Sequence, residues 1–124
     1  GSPHYIEFVD NVNSVDIVGL GQMIRYNERF KAEGINVNFV QQEEGQLFVR
    51  TYERGVENET FSCGTGVTAS ALIAGIEKLG EQKIHIETLG GKLAVSFNNR
   101  GDNIFDNIYL MGPGTFVFNG SLDI

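Results

Sequence analysis

The chain has 124 residues, 41% of them hydrophobic, with nine Phe, no Trp and a formal net charge of −7. That length suits one domain with a modest core, and the acidic balance argues against nucleic acid or an anionic membrane surface as a partner, since phosphate recognition needs a basic face. No apolar run nears the roughly 20 residues that span a bilayer, no signal-peptide pattern opens the chain, and a lone cysteine cannot close an internal disulfide, so a reducing cytoplasm is the expected compartment.

Gly1-Ser2-Pro3-His4 opens the chain without Met, either as an added Gly-Ser pair or as a piece of something longer. Tyr5 to Val9 alternates and is rich in β-formers, which predicts a strand. Asp10 to Ser14 reads as a loop. Ser14 or Asp16 can cap a helix running to Tyr26, although Gly19 and Gly21 are poor helix formers. Phe30 to Gly34 is a connection. Asn36 to Gln41 alternates strictly and predicts a strand. Gln46 to Tyr52 predicts the next, with Glu44-Gly45 as the turn between them. Arg54 to Ser62 reads as a polar loop.

Val67 to Leu79 predicts a helix, and Val67 to Ile76 is almost without charge. A helix apolar all round is a buried helix. Gly80 stands as its C-cap. Lys83 to Thr88, Gly91 to Phe97, Ile104 to Met111 and Thr115 to Asn119 read as short strands between turns rich in Gly and Asn. Gly112-Pro113-Gly114 reads as a turn. No repeat, low-complexity tract or interdomain linker interrupts residues 1–124. The pattern predicts one α+β domain, a curved or barrel-like, mostly antiparallel sheet wrapped around the buried helix.

The segment Glu59-Thr60-Phe61-Ser62-Cys63-Gly64-Thr65-Gly66 carries the strongest chemical signal. It sets the only cysteine directly before a Gly-Thr-Gly turn and a helix. Unpaired N–H groups and the positive end of the helix dipole favour thiolate over thiol there. The same N–H groups can hold a carboxylate. The plainer alternative is a buried structural thiol.

Other residues carry weaker signals. Glu53-Arg54 is either a solvated charge pair or a substrate clamp, Arg for a carboxylate and Glu for an ammonium group. Glu59 reads as a buttress of its loop. Asn36 and Asn38 share one face of their strand, with Val37 and Phe39 facing the core. Their side chains are either ordinary solvent-facing polarity or the wall of a polar pocket. His4 is exposed and structural, or pairs with Cys63 as a Cys–His couple. His85 carries no assigned role. No residues have metal-ligand spacing, and no phosphate loop or dinucleotide fingerprint is present.

At these residues the chain resembles a known family. Tyr52-Glu53-Arg54-Gly55-Val56, Glu59-Thr60 and Cys63-Gly64-Thr65-Gly66 resemble the second signature of diaminopimelate epimerase. Gly1-Ser2-Pro3-His4 resembles that family's Gly-Asn-Pro-His segment, which argues against an added Gly-Ser. Gly34-Ile35-Asn36-Val37-Asn38-Phe39 resembles the segment that begins the strand before the signature. The resemblance covers nearly the whole chain but only the second half of the family's length.

The resemblance implies two similar domains with the active site in the cleft between them. It implies two cysteines and no pyridoxal phosphate or other cofactor. One cysteine, as thiolate, removes the α-proton, and the other, as thiol, protonates the opposite face. Cys63 would be the second-domain member, its partner lying in an N-terminal half absent from these residues. Gly64 and Thr65 would hold the α-carboxylate. Asn36, Glu53, Arg54 and Ser2 would hold the distal amino-acid end, Ser2 standing where the family has the longer Asn. His4 and Glu53 would influence the protonation of the cysteines. The substrate implied is LL-diaminopimelate, converted to the meso form in the lysine and cell-wall precursor pathway, and the chain alone would be inactive. Its exposed cleft surface could drive self-association into a homodimer.

Three other readings stay open. A proline or hydroxyproline racemase relative shares the architecture, although the Glu53-Arg54-Gly55 block favours the epimerase. A non-catalytic domain of the same fold would carry a vestigial cysteine. A Cys–His hydrolase lacks an evident third orienting group.

Overall fold

The structure, a computed structural model, describes residues 4–30, 32, 34–60 and 64–112, and the main chain of 115–123. Strand β1 (His4–Phe8) lies parallel to β2 (Asn36–Glu43), and helix α1 (Ile17–Arg25) lies between them in the chain. β2 turns at Glu44-Gly45 into antiparallel β3 (Gln46–Glu53). The far edge of β3 is shared. Its end at Thr51 to Glu53 pairs with the short β4 (Asn58–Thr60), and its start at Gln46 to Phe48 pairs in parallel with β5 (Gly80–Thr88). Helix α2 (Gly64–Ala74) follows β4 in the chain. From β5 the chain runs as an antiparallel meander through β6 (Gly91–Gly101), β7 (Ile104–Gly112) and β8 (Thr115–Asp123).

The result is an α+β fold on one mixed, mostly antiparallel sheet of order β1-β2-β3-β5-β6-β7-β8, with β4 beside β3. The sheet curves around α2, which touches β1, β2, β3, β5, β6 and β7. It does not close among the described residues, since β1 and β8 are its two ends.

Burial explains why an 11-residue helix with little amphipathic character is stable. A helix this short is marginal by itself in water. Val67, Ala71 and Leu72 are fully buried against Val40, Leu47, Val49, Ile86, Val95, Phe105 and Leu110 from the sheet. Each large aliphatic side chain so buried contributes roughly 1.5–3 kcal/mol, more than its helix propensity can cost. The polar members of α2 satisfy themselves locally. Thr68 Oγ1 donates to the carbonyl of Gly64 and Ser70 Oγ to that of Gly66, each at 2.8 Å.

A second core fills the other face of β2 and β3. Val37, Phe39 and Tyr52 meet Ile17, Val12 and Ile35 there, with Tyr5, Ile24 and Phe30 at the margin. Asp16 starts α1 by accepting a hydrogen bond from the Gly19 N–H at 3.1 Å. Gly21 has a packing reason. A Cβ at that position would lie 2.6 Å from Tyr52, so only glycine lets α1 approach β3 this closely. No described helix is long and apolar enough to cross a membrane.

Several boundaries differ from the sequence expectation. β4 lies inside the stretch read as a polar loop. α2 starts three residues before Val67 and stops five before Leu79. The early stop has a long-range cause. Asn99 Nδ2, from β6, lies 3.2, 3.0 and 2.8 Å from the carbonyls of Gly75, Ile76 and Lys78. Gln82 Nε2, from β5, donates to Gly75 and Lys78. These amides take the acceptors a longer helix would have used. Gly80, at φ +96°, therefore opens β5 instead of capping the helix. Of the Gly112-Pro113-Gly114 turn, Pro113 and Gly114 lie outside the described residues.

Candidate active site

Both cores press on β2, and this decides the fate of its two asparagines. Asn36 and Asn38 share a face with Val40, as alternation requires, but that face looks at α2 and not at solvent. Asn36 is 4% exposed and Asn38 0%. The solvent-facing reading of this pair is thus overturned, because β2 is covered on both sides.

The first turn of α2 lies against His4 and Asn38. Gly66 makes this possible. A Cβ there would sit 2.5 Å from Asn38 Oδ1 and 3.2 Å from the His4 ring. His4 Nε2 and Thr65 Oγ1 are 2.9 Å apart, and His4 Nδ1 lies 3.2 Å from Asn38 Nδ2. Asn38 Nδ2 also donates to the Tyr5 carbonyl at 3.3 Å, while Thr51 Oγ1 donates to Asn38 Oδ1 at 2.9 Å. Partial burial, and secondarily the nearby Arg54 guanidinium, hold the His4 imidazole below its ordinary pKa. Both causes favour the neutral ring.

A second group gathers beside this one. The Arg54 N–H donates to Asn36 Oδ1 at 2.7 Å. Glu53 belongs to the α2-facing side of β3, two residues beyond Thr51. The stem of Arg54 crosses Gly34, where a Cβ would lie 2.5 Å from Arg54 Cδ. His4, Asn36, Glu53, Arg54 and Thr65 are thus brought to one end of the β1–β2–β3 layer, at the positive end of α2.

The approach to Cys63 is braced by ion pairs. Arg50 Nε and Nη2 each reach a carboxylate oxygen of Glu59 at 2.6 Å. Glu59 thus ties β4 to β3, within the stretch read as a loop. Glu57 holds the β3–β4 turn, accepting from Tyr52 Oη at 3.0 Å, Gly55 N at 3.0 Å and Arg25 Nε at 3.2 Å. Tyr52 donates from a buried position, so burial first and the Glu57 carboxylate second push its phenol up to about 12. Cys63 and Ser2 lie outside the described residues. His85 is exposed on β5.

The family model for diaminopimelate epimerase matches residues 1–117. The chain belongs to the diaminopimelate epimerase family. It is 47% identical over 124 residues to the diaminopimelate epimerase of Flavobacterium psychrophilum, covering 98% of this chain and 48% of that one. It is 45% identical over 124 residues to that of Methanocella arvoryzae, covering 100% of this chain and 42% of that one. The chain thus spans about half the length of the curated relatives it matches. In fold it is similar to a phenazine biosynthesis protein of the PhzF family from Enterococcus faecalis, with TM-score 0.59 and 19% identity over 89% of this chain and 37% of that one.

Sequence reasoning picked out His4, Asn36, Glu53, Arg54, Gly64 and Thr65 in this epimerase-family chain, and the structure gathers them at one end of the sheet. It missed Thr51 and the linking role of Asn38. Alternation put Asn38 on the right face, but only the cross-strand register Asn38↔Thr51 joins the two side chains.

Proposed function

We propose that this chain is the Cys63-bearing half of a diaminopimelate epimerase, which interconverts LL- and meso-diaminopimelate without a cofactor. One observation carries the reading. The α2 N-terminus directly after Cys63 sets Thr65 against His4, with Asn36 and Arg54 beside them, in a chain of this family.

The chemistry asks for this layout. An amino-acid α-proton is weakly acidic, so the carbanion must be stabilised electrostatically. The N–H groups of Gly64 and Thr65 and the Thr65 hydroxyl hold the α-carboxylate at the positive end of α2. Charge that develops on that carboxylate as the C–H bond breaks meets donors already in place. Asn36, Glu53 and Arg54 hold the distal amino and carboxylate groups, which sets the reacting carbon over Cys63. One cysteine, as thiolate, takes the α-proton, and the C–H electron pair stays on the substrate. The other, as thiol, returns a proton to the opposite face. Two opposed acid/base groups are what inversion requires. The second cysteine belongs to the missing N-terminal half.

The test is deuterium incorporation from solvent at the α-carbon of LL-diaminopimelate. The full protein exchanges, Cys63→Ala abolishes exchange, and residues 1–124 alone do not exchange. Inversion by residues 1–124 alone would sink the two-cysteine assignment. Exchange into proline but not diaminopimelate would point to the racemase relative.

A further inference from the structure

We propose that Asn38 is a positioning residue that sets the tautomer of His4 and thereby makes the Thr65 hydroxyl a hydrogen-bond donor toward the substrate carboxylate. This rests on the reading of Thr65 as a substrate ligand.

The polarity of the chain follows from one fixed point. A backbone carbonyl can only accept, so the Asn38 amide atom facing the Tyr5 carbonyl at 3.3 Å is the NH2 nitrogen. The Asn38 oxygen then faces Thr51 Oγ1, which donates to it at 2.9 Å. The second amide hydrogen points at His4 Nδ1, 3.2 Å away. Nδ1 must accept, so the ring proton of a neutral imidazole sits on Nε2. Nε2–H donates to Thr65 Oγ1 at 2.9 Å, and the hydroxyl proton of Thr65 is turned away from the ring.

Asn38 is fully buried and meets His4 at Nδ1, while Thr65 meets Nε2. Its side-chain type matters because an amide presents a donor to Nδ1 and an acceptor to Thr51 at once. A carboxylate at that position presents acceptors to both. At a pH where the ring is neutral, His4 would then carry its proton on Nδ1, Nε2 would become an acceptor, and the Thr65 hydroxyl would donate to the ring. The substrate would lose that donor. Among the described residues, the groups facing His4 from its neighbours are Asn38 on β2, Thr65 on α2 and the Arg54 guanidinium.

Nitrogen-15 NMR of the full protein labelled at histidine tests the first link, with the His4 signals identified by their loss in His4→Gln. The expected spectrum has His4 Nδ1 unprotonated and Nε2 protonated, and Asn38→Asp moves a proton to Nδ1. A protonated Nδ1 in the otherwise unaltered protein would overturn the proposal. This readout needs no substrate, so it stands apart from the epimerase reading. The second link is a double-mutant cycle on turnover of LL-diaminopimelate. Asn38→Asp and Thr65→Val each lower kcat/KM about tenfold or more, as loss of one hydrogen bond to a charged group predicts. The double variant is no worse than either alone, because both remove the same donor. Losses that multiply would show that Asn38 acts only through stability and would overturn the role. Should Asn38→Asp not fold, Asn38→Leu takes its place in the cycle, where non-additive losses support the role and multiplying losses overturn it.

Discussion

Arg50 grips Glu59 with two parallel hydrogen bonds of 2.6 Å, and this pair fastens β4 to β3 four residues before Cys63. Bidentate geometry is what makes an ion pair worth counting. Glu59→Ala is expected to destabilise the fold by about 2 kcal/mol, the range for a hydrogen bond to a charged group. Glu59→Gln keeps one acceptor and loses about half of that. Urea unfolding reads both, and equal stability of all three proteins would show the pair to be idle.

Gly66 is the contact point between α2 and the β1–β2 layer. Gly66→Ala places a methyl 2.5 Å from the buried Asn38 oxygen. Overpacking of this kind costs about 1–3 kcal/mol. The substitution also forces α2 away from His4, so on the proposed function lost epimerisation by the full protein should accompany lost stability. A stable, active alanine variant would contradict the close approach.

His4 should titrate below the ordinary histidine pKa of about 6.5. Burial is the larger cause and the Arg54 charge the smaller. Arg54→Gln is thus expected to raise the midpoint only part of the way. A pKa lowered in the folded state means that the unfolded chain binds the proton more readily. The stability His4 contributes is complete above pH 6.5 and is lost as pH falls from there through its folded pKa. A folded midpoint at or above 6.5 by NMR would refute the burial argument.

Tyr52 behaves in the opposite sense. Its phenol is held protonated by burial and by the Glu57 carboxylate, and it ionises at about 12. Absorbance titration should show this late step, and Tyr52→Phe should remove it. Because the folded pKa is raised, the stability it contributes is present below about pH 10 and falls as pH rises toward 12. Tyr52→Phe also frees one acceptor on Glu57, a loss of about 1 kcal/mol at neutral pH.

Most strands were legible because alternation and turn residues are local signals. Asn36 to Gln41, Gln46 to Tyr52 and the meander after Gly80 each fall within a strand, and each strand runs one to four residues further at one end or both. The helix α2 was legible, apart from its ends, because a run of small and apolar residues without charge marks a buried helix.

What local sequence determined is most of the elements and the candidate residues His4, Asn36, Glu53, Arg54, Gly64 and Thr65. Tertiary structure decided the rest. Whether a polar side chain is exposed depends on what covers its strand, so burial of Asn36 and Asn38 waited on the packing of α2 over β2. Where α2 ends depends on amides brought from β5 and β6. Which atom of His4 carries the proton depends on a carbonyl of β1, an amide of β2 and a hydroxyl of β3 meeting in one place. Hydrogen-bond polarity is a property of the assembled network, and pattern along the chain cannot encode it without the register that joins the strands.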